Sequence, residues 1–426
     1  VLSPYFIYCT SMKNTFYQHY IKWLRDFFYI GQSEIADTLY MSVSAYSKME
    51  QGKKTIQDED FEAIIHFYEG RKESYSFCFD EEKEEKANAL IRQCIVSFVY
   101  RSQKEMLPEL ENYLSDPTNL HSLAFFETKL LEMIYEYFAD LPFQERLPFL
   151  LEHMDLFNTT AQSMIYDLYG LSKLRTYDET AIECFQTAKS LSVLLNIPGW
   201  LGLIDYHLII TYLRFMQPEK SFPFFEECGK DLQNSGSHRR ILDLHLNQAQ
   251  CYMKLGLREE ADSLFQTMLQ TYNQVEEEDF LKSIYGNYSW NQLIQKNYSF
   301  AIDLVNKALA YNSKFPDLYI TLAYSNYQLG QPEDALDAIA AFRRQNRKDP
   351  RSKMVLKFLE VLENFLLGRK KTFERLANQL LIQLEKWRDL EVDLFVYQML
   401  IDHYTGMEDE HSLCVIQAKL IDFLMR

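Results

Sequence analysis

The sequence predicts an all-α protein: a small N-terminal helical bundle followed by a long array of helical hairpins. Three observations point there. Gly (13) and Pro (11) are scarce in 426 residues, so long stretches lack the turn punctuation that many short strands need. Apolar residues recur at helical spacing over the first seventy residues. From residue 181 onward small residues recur at a fixed interval, the mark of a repeat architecture. The length exceeds one ordinary core, which predicts two or more domains, and 47% hydrophobic residues are enough to fill them.

The net charge of −17 excludes a protein that coats nucleic acid through bulk electrostatics, so any DNA contact must come from a local basic patch. The 7 cysteines (9, 78, 94, 184, 228, 251 and 414) are dispersed, with no C-x-x-C and no His at ligand spacing. That pattern fits reduced thiols in the cytoplasm and predicts neither a disulfide frame nor a metal site. No apolar run is long enough to span a membrane, and no membrane partner is expected. Val1–Ser11 is apolar but lacks a basic run and a small-residue cleavage site, so it does not read as a signal peptide. Met12 is an alternative start, with the first eleven residues expected as a poorly ordered extension.

In the N-terminal bundle the first helix is carried by the stripe Tyr20, Ile21, Leu24, Phe27 and Phe28, and Gly31 ends it. A short second helix follows over Gln32–Leu39, with Ile35, Ala36 and Leu39 on one face and Ala36 small enough for a tight crossing. Ser42 is suited to N-cap a third helix running to Glu50, and Gly52 to close it. A fourth helix, Asp58–Tyr68, turns Phe61, Ile64, Ile65 and Tyr68 inward. Gln32-Ser-Glu-Ile-Ala-Asp-Thr-Leu39 followed by Met41-Ser-Val-Ser-Ala-Tyr-Ser-Lys-Met-Glu-Gln-Gly-Lys53 resembles the Cro/XRE helix-turn-helix family of phage repressors. Two positions depart from its pattern: Tyr40 stands where Gly is usual in the turn, and Val43 where a polar residue is common. The resemblance implies that residues 12–70 form a DNA-binding domain. Gln32 would cap the second helix and touch phosphate, and Ser42 would cap the recognition helix. Val43, Ser44, Ser47 and Lys48 would face the major groove, with Lys53 and Lys54 near the DNA backbone. It also implies a buried ion pair between Arg25 and Glu50. The reading face is modest: Val43 suits a thymine methyl, Ser44 and Ser47 are short, and Lys48 reaches guanine O6 and N7. With six Lys/Arg against nine Asp/Glu over 12–70, the domain is not net basic, which makes dimeric binding more necessary.

The array is predicted over 87–426, with 71–86 as linker, since Glu81-Glu-Lys-Glu-Glu-Lys86 reads as a solvated joint. Ala181, Ser221, Ala261 and Ala301 are spaced 40 apart, and Ala335 follows after 34. Around them Tyr319-x-x-Leu322-Ala323-x-x-x-Tyr327-x-x-Gly330-x-x-x-x-Ala335 is nearly a complete tetratricopeptide signature, and weaker copies predict eight or nine hairpins. The chain is therefore expected to form a tetratricopeptide-type right-handed helical solenoid, since a lone hairpin cannot bury both of its faces. The helix-A residues turned away from helix B are the candidate concave lining. They are Tyr166, Asp167, Gly170, Tyr206, His207, Arg214, Asn247, Gln250, Lys254, Asn287, Trp290, Asn291, Thr321, Tyr324 and Gln328. Asn247 and Asn287 share a register position, and an amide that donates and accepts can hold an extended peptide backbone. Arg214 and Lys254 suit a carboxylate.

A phage-repressor-type reader ahead of so many tetratricopeptide hairpins is similar to the Rgg/Rap/NprR/PlcR/PrgX peptide-pheromone receptors of Gram-positive bacteria. That resemblance implies a cytoplasmic homodimeric transcription regulator that binds a double-stranded operator and is switched by a short signalling peptide in the array's groove. Two alternatives remain open: a regulator controlled by a protein partner such as a phage antirepressor, and a Rap-like array acting on a response regulator. The absence from the sequence of a P-loop, a metal-ligand cluster and G-x-S-x-G argues against an independent enzyme, and no cofactor is expected.

Overall fold

The computed structural model describes residues 4–71, 75–272, 278–387 and 390–425. It divides into two compact units, Val1–Leu244 and His245–Arg426. Four helices come first: α1 (Pro4–Phe28), α2 (Gln32–Thr38), α3 (Val43–Glu50) and α4 (Asp58–Glu69). Nine helical pairs follow among the described residues. They are α5 (Glu82–Tyr100) with α6 (Gln103–Leu114), α7 (Phe125–Phe138) with α8 (Leu147–Glu152), and α9 (Thr159–Arg175) with α10 (Ala181–Ser192). Next, α11 (Trp200–Arg214) pairs with a second helix broken into α12 (Pro218–Ser221) and α13 (Phe224–Ser235). The break falls at Pro223, which cannot continue a hydrogen-bonded helix. The remaining pairs are α14 (His238–Lys254) with α15 (Arg258–Tyr272), α16 (Glu278–Ile294) with α17 (Tyr298–Ala310), and α18 (Asp317–Gln328) with α19 (Pro332–Arg344). The last two are α20 (Pro350–Leu366) with α21 (Lys370–Trp387), and α22 (Leu390–Gly406) with α23 (Glu410–Met425). The all-α expectation and the tetratricopeptide-like array are thus both present. The marker residues Ala181, Ser221, Ala261, Ala301 and Ala335 are all completely buried, as a small side chain at a helix crossing must be.

Every hairpin closes in the same way. One residue just past helix A adopts a left-handed conformation: Arg101, Asp140, Tyr177, Met216, Gly256, Lys296, Gly330, Gly368 and Glu408 in turn. The next residue's N–H donates back five residues, for example Leu257 N to Tyr252 O at 2.8 Å and Asn297 N to Gln292 O at 2.9 Å. This is the Schellman closure, which satisfies carbonyls the helix end leaves open. The first helices end alike, with Tyr29, Tyr40 and Gly52 left-handed. Only glycine adopts that conformation without a Cβ clash, so most of these turns are strained.

Three of the first four helices fall close to their predicted bounds, and Phe61, Ile64, Ile65 and Tyr68 are buried. The first helix is longer than its apolar stripe, so residues 4–11, expected as an extension without order, continue α1. Ser42 caps α3 by accepting from Ala45 N at 3.1 Å. Arg25 Nε donates to Glu50 Oε1 at 2.7 Å, and Gln32 Nε2 to Glu50 Oε2 at the same distance, closing the almost fully buried carboxylate from both sides. The N-cap of α2 is Gly31, and Gln32, expected to cap it, instead ties α2 to the end of α3.

Within the first unit these helices pack directly on the array. Trp23 of α1 lies 4.3 Å from Phe125 of α7, Tyr20 lies 5.1 Å from the same ring, and Phe16 meets Phe126 edge-on at 5.6 Å. The described part of the segment expected as linker joins this core. Tyr75 and Phe77 are buried, Tyr20 and Tyr75 share a 3.3 Å hydroxyl contact, and Cys78 N donates to His121 O at 2.7 Å. The charged residues Glu82–Lys86 form the first turn of α5 and not a loop, because acidic side chains suit a helix N-terminus.

The turns give a direct test. Lys296→Gly should raise the urea midpoint by the equivalent of about 1 kcal/mol, and Gly330→Lys should lower it comparably. Equal midpoints for both variants and the parent would show that the left-handed turns carry no strain.

Candidate functional site

Two features gather the sequence-predicted residues, one in each unit. The first is the outer face of α3. Val43, Ser44 and Lys48 are exposed along it, Ser47 is half-buried, and the exposed Lys53 and Lys54 follow in the turn. From Ser42 to Lys54 the one carboxylate is Glu50, and it is buried against Arg25. Although the domain is acidic in sum, the solvent face of this segment therefore carries three lysines and no exposed acid. Among the described residues Lys48 makes no ion pair, while Lys53 Nζ donates to Gln51 Oε1 at 2.8 Å. Gln51 in turn donates to Ser47 Oγ at 3.0 Å, so Ser47 is tied into the helix surface. Desolvation at Arg25 is outweighed by the hydrogen bond and charge of Glu50, and its pKa is raised.

The second feature is a cavity of about 300 Å³ in the second unit, at the lower end of the range of about 300–1,000 Å³ for ligand pockets. Its wall comes from the A helices of five successive hairpins, the inner face that a repeat array offers. Gln250, Met253 and Lys254 come from α14, Gly286, Asn287 and Trp290 from α16, and Asp317, Leu318 and Thr321 from α18. Arg351 of α20, Glu391 of α22 and Phe315 complete it. The lining joins a cation at Lys254 and an anion at Glu391 to the ion pair of Arg351 with Asp317, whose Nε–Oδ1 distance is 3.0 Å. Trp290 stands edge-on to Phe395 at 5.9 Å, which fixes its ring at the wall.

Five predicted residues, Gln250, Lys254, Asn287, Trp290 and Thr321, meet in this cavity. Within it Gln250 Nε2 donates to Asn287 Oδ1 at 3.1 Å. Asn287 Nδ2 donates to Ser283 O, and Asn247, half-buried, is not part of the cavity wall. Several other predicted lining residues are interior, because a helix-A position one residue off the open face turns into the hairpin. His207 is buried with Nδ1 2.7 Å from Asp167 Oδ1, Asp167 is fully buried, and Gly170 is buried where a Cβ would strike the Phe185 ring. Asn291 is 1% exposed and donates to Asp262 Oδ1 at 2.7 Å. Tyr324 is buried and stacked on Phe395 at 4.5 Å, and burial pushes its phenol well up. Arg214 is half-buried at the end of α11, its guanidinium 4.0 Å over Tyr177 and its Nε buried without a hydrogen-bond partner among the described residues. Tyr166, Tyr206 and Gln328 are half-buried and lie outside the cavity.

Sequence reasoning missed Met253, Gly286, Phe315, Asp317, Leu318, Arg351 and Glu391. One of them left a signal: an isolated Gly inside a helical pattern often marks a close approach or a site. A Cβ at Gly286 would meet Phe315 at 3.4 Å and Leu318 at 3.7 Å, ordinary contacts, so packing does not require glycine there.

The tetratricopeptide repeat family matches residues 292–357. No curated protein matches the chain. Many solved structures are similar to it, three of them as follows. One is a Rap protein complexed with competence and sporulation factor, at 13% identity and TM-score 0.64, covering 80% of this chain and 97% of that one. Another is NprR in complex with its cognate peptide NprX, at 13% identity and TM-score 0.61, covering 80% and 99%. A third is aspartyl phosphate phosphatase F from Bacillus subtilis, at 16% identity and TM-score 0.56, covering 82% and 95%. At such low identity these likenesses establish the fold, a tetratricopeptide-like helical array. No helix among the described residues is long and apolar enough to cross a membrane.

Gly286→Ala tests the cavity assignment. It should raise stability by about 0.5–1 kcal/mol through helix propensity, read from urea melts, while taking up cavity space and weakening any ligand held there. A stability gain with unchanged ligand affinity would move the site elsewhere.

Proposed function

We propose that the protein is a peptide-switched transcription regulator, a cytoplasmic homodimer that reads DNA through α3 and holds a short signalling peptide in the α14–α22 cavity. The observation that carries the reading is the segregation of charge on α3. An acidic protein has a face of Ser44, Lys48, Lys53 and Lys54 with its one local carboxylate withdrawn into the core. A capped short helix after a tight turn, presenting short polar and basic side chains, suits major-groove entry. In this reading α2 and α3 form the helix-turn-helix of a DNA-binding domain over residues 12–70, joined through 71–86 to a repeat domain over 87–426. Gln32 keeps its phosphate contact as a secondary role, since it already serves Glu50, and Ser42 caps the recognition helix. The quorum-sensing element rests on the cavity, where amides, an aromatic wall and charges of both signs match the backbone and two termini of a short peptide. NprR, similar in fold, has been solved with its cognate peptide.

The similarity to an aspartyl phosphate phosphatase favours a second reading, in which the array acts on a response-regulator protein. The two differ at α3, whose basic face has a purpose in the first reading alone.

Selection from random duplexes with the full chain should enrich a two-fold-symmetric site, and Ser44→Ala with Lys48→Ala should abolish that selection with helicity intact. Replacing Lys53 and Lys54 by Ala should weaken binding to all duplexes, reducing the slope of log K against log salt by about 0.9 for each phosphate left without its lysine. No enrichment, or slopes that do not change, would favour the second reading. Trp290→Ala and Asn287→Ala should each weaken calorimetric binding of the peptides encoded beside the gene. Unchanged affinity in both would sink the cavity's role.

A further inference from the structure

A second and larger cavity, about 640 Å³, lies within the first unit where α1 meets the start of the array. Its floor is apolar, with Phe16 of α1 and Phe126 of α7 in edge contact. Its wall carries Glu81, Glu84 and Glu85 at the head of α5 and Glu127 in the first turn of α7. Three of these acids border solvent and alone would be an ordinary hydrated cluster. Glu127 differs. It is 6% exposed, it lines the cavity, and among the described residues its carboxyl is met by no side chain, only by its own backbone N–H.

A buried carboxyl without a side-chain partner is costly, and proteins keep such groups where something else completes them. The cation on the cavity wall does not. Lys13 of α1 reaches the cavity, but its ammonium is 3.0 Å from Asp58 Oδ2. Glu84 of α5 also faces Glu127 and disfavours its charge, and a charge on Glu127 would in turn raise the Tyr113 phenol of α6. Burial first and the charge of Glu84 second push the carboxyl up to about 8, so the empty site holds a proton there at neutral pH. A metal ion does not fit: no group of carboxylates or imidazoles among the described residues is arranged to hold one. A charged head on an apolar stem does fit, with the stem on the phenylalanines and the head among the glutamates.

We propose that this cavity binds an organic cation, an ammonium or guanidinium carried on an apolar stem, with Glu127 as its buried anchor. The ligand would bridge α1 and α7, holding the first four helices against the array independently of the second unit's cavity. Binding transfers the Glu127 proton to solvent as the carboxylate forms its ion pair.

Calorimetry on the full chain, with spermidine as the free amine and N-acetyl-Phe-Arg-amide as a basic side chain on a peptide, separates the two sources. Saturable binding of either is expected, with up to one proton released, read from the difference between phosphate and Tris buffers. Binding of spermidine alone assigns a free amine, and binding of the peptide alone a basic side chain. Glu127→Gln keeps the shape of the protonated acid. It should lose affinity by about tenfold or more, the scale of a charge-assisted hydrogen bond, and abolish proton release. Its melting temperature should equal the parent's at about pH 4.5 and exceed it above about pH 8, because a raised carboxyl pKa removes stability as pH climbs towards the folded value. Glu84→Gln, at the cavity rim, should weaken binding less. The proposal is overturned if neither probe saturates, if Glu127→Gln binds as well as the parent, or if magnesium displaces the probes at equal concentration.

Discussion

The aromatic seam between α1 and α7 is the contact on which the first unit depends. A four-helix module of under seventy residues has a small core, and a single helical hairpin has none. Trp23, Tyr20 and Phe16 close against Phe125 and Phe126, so the module completes the array's open end and the array completes the module's core. Tyr75 and Phe77 extend the same core through the connecting segment. A change at one side of the seam is felt at the other, because close-packed aromatic side chains shift together rather than deform.

Charge is placed with equal economy. Arg25 and Gln32 surround Glu50, which lets a buried carboxylate tie together α1, α2 and α3 without appearing on the surface. Removing an acid from the solvent face of α3 leaves its lysines unopposed in a chain of strongly negative net charge. In the second unit charges of both signs meet at the cavity wall, where Lys254, Glu391 and the Arg351–Asp317 pair lie on different helices. A small ligand bearing both signs would bridge helices that have no covalent link other than their turns.

Much of the fold was legible in the sequence because its signals are local. Ser42 had the right neighbours for a cap, Gly52 for a helix stop, and the small residues from Ala181 to Ala335 for crossings. The cavity was half legible. Gln250, Lys254, Asn287 and Trp290 followed from register, but Arg351 and Glu391 lie in hairpins whose repeat signature is weak. His207 and Asn291 misled because a polar residue on helix A suits the groove and a buried partner equally. The carboxylates that engage them, Asp167 and Asp262, lie 40 and 29 residues away. Periodicity reports which face a residue is on; it does not report whom it meets across the core.

The left-handed turns carry a further consequence. In the first unit every hairpin turn, at Arg101, Asp140, Tyr177 and Met216, places a side chain where glycine would be relaxed. In the second unit Gly256, Gly330 and Gly368 relieve three of the five. The chain therefore has a graded stiffness: the unit around the α14–α22 cavity is closed mostly by unstrained turns, whereas the unit bearing α3 is held together at joints already under load. Local opening should concentrate at those joints, giving the unit that bears α3 the greater freedom to change shape for a small difference in free energy.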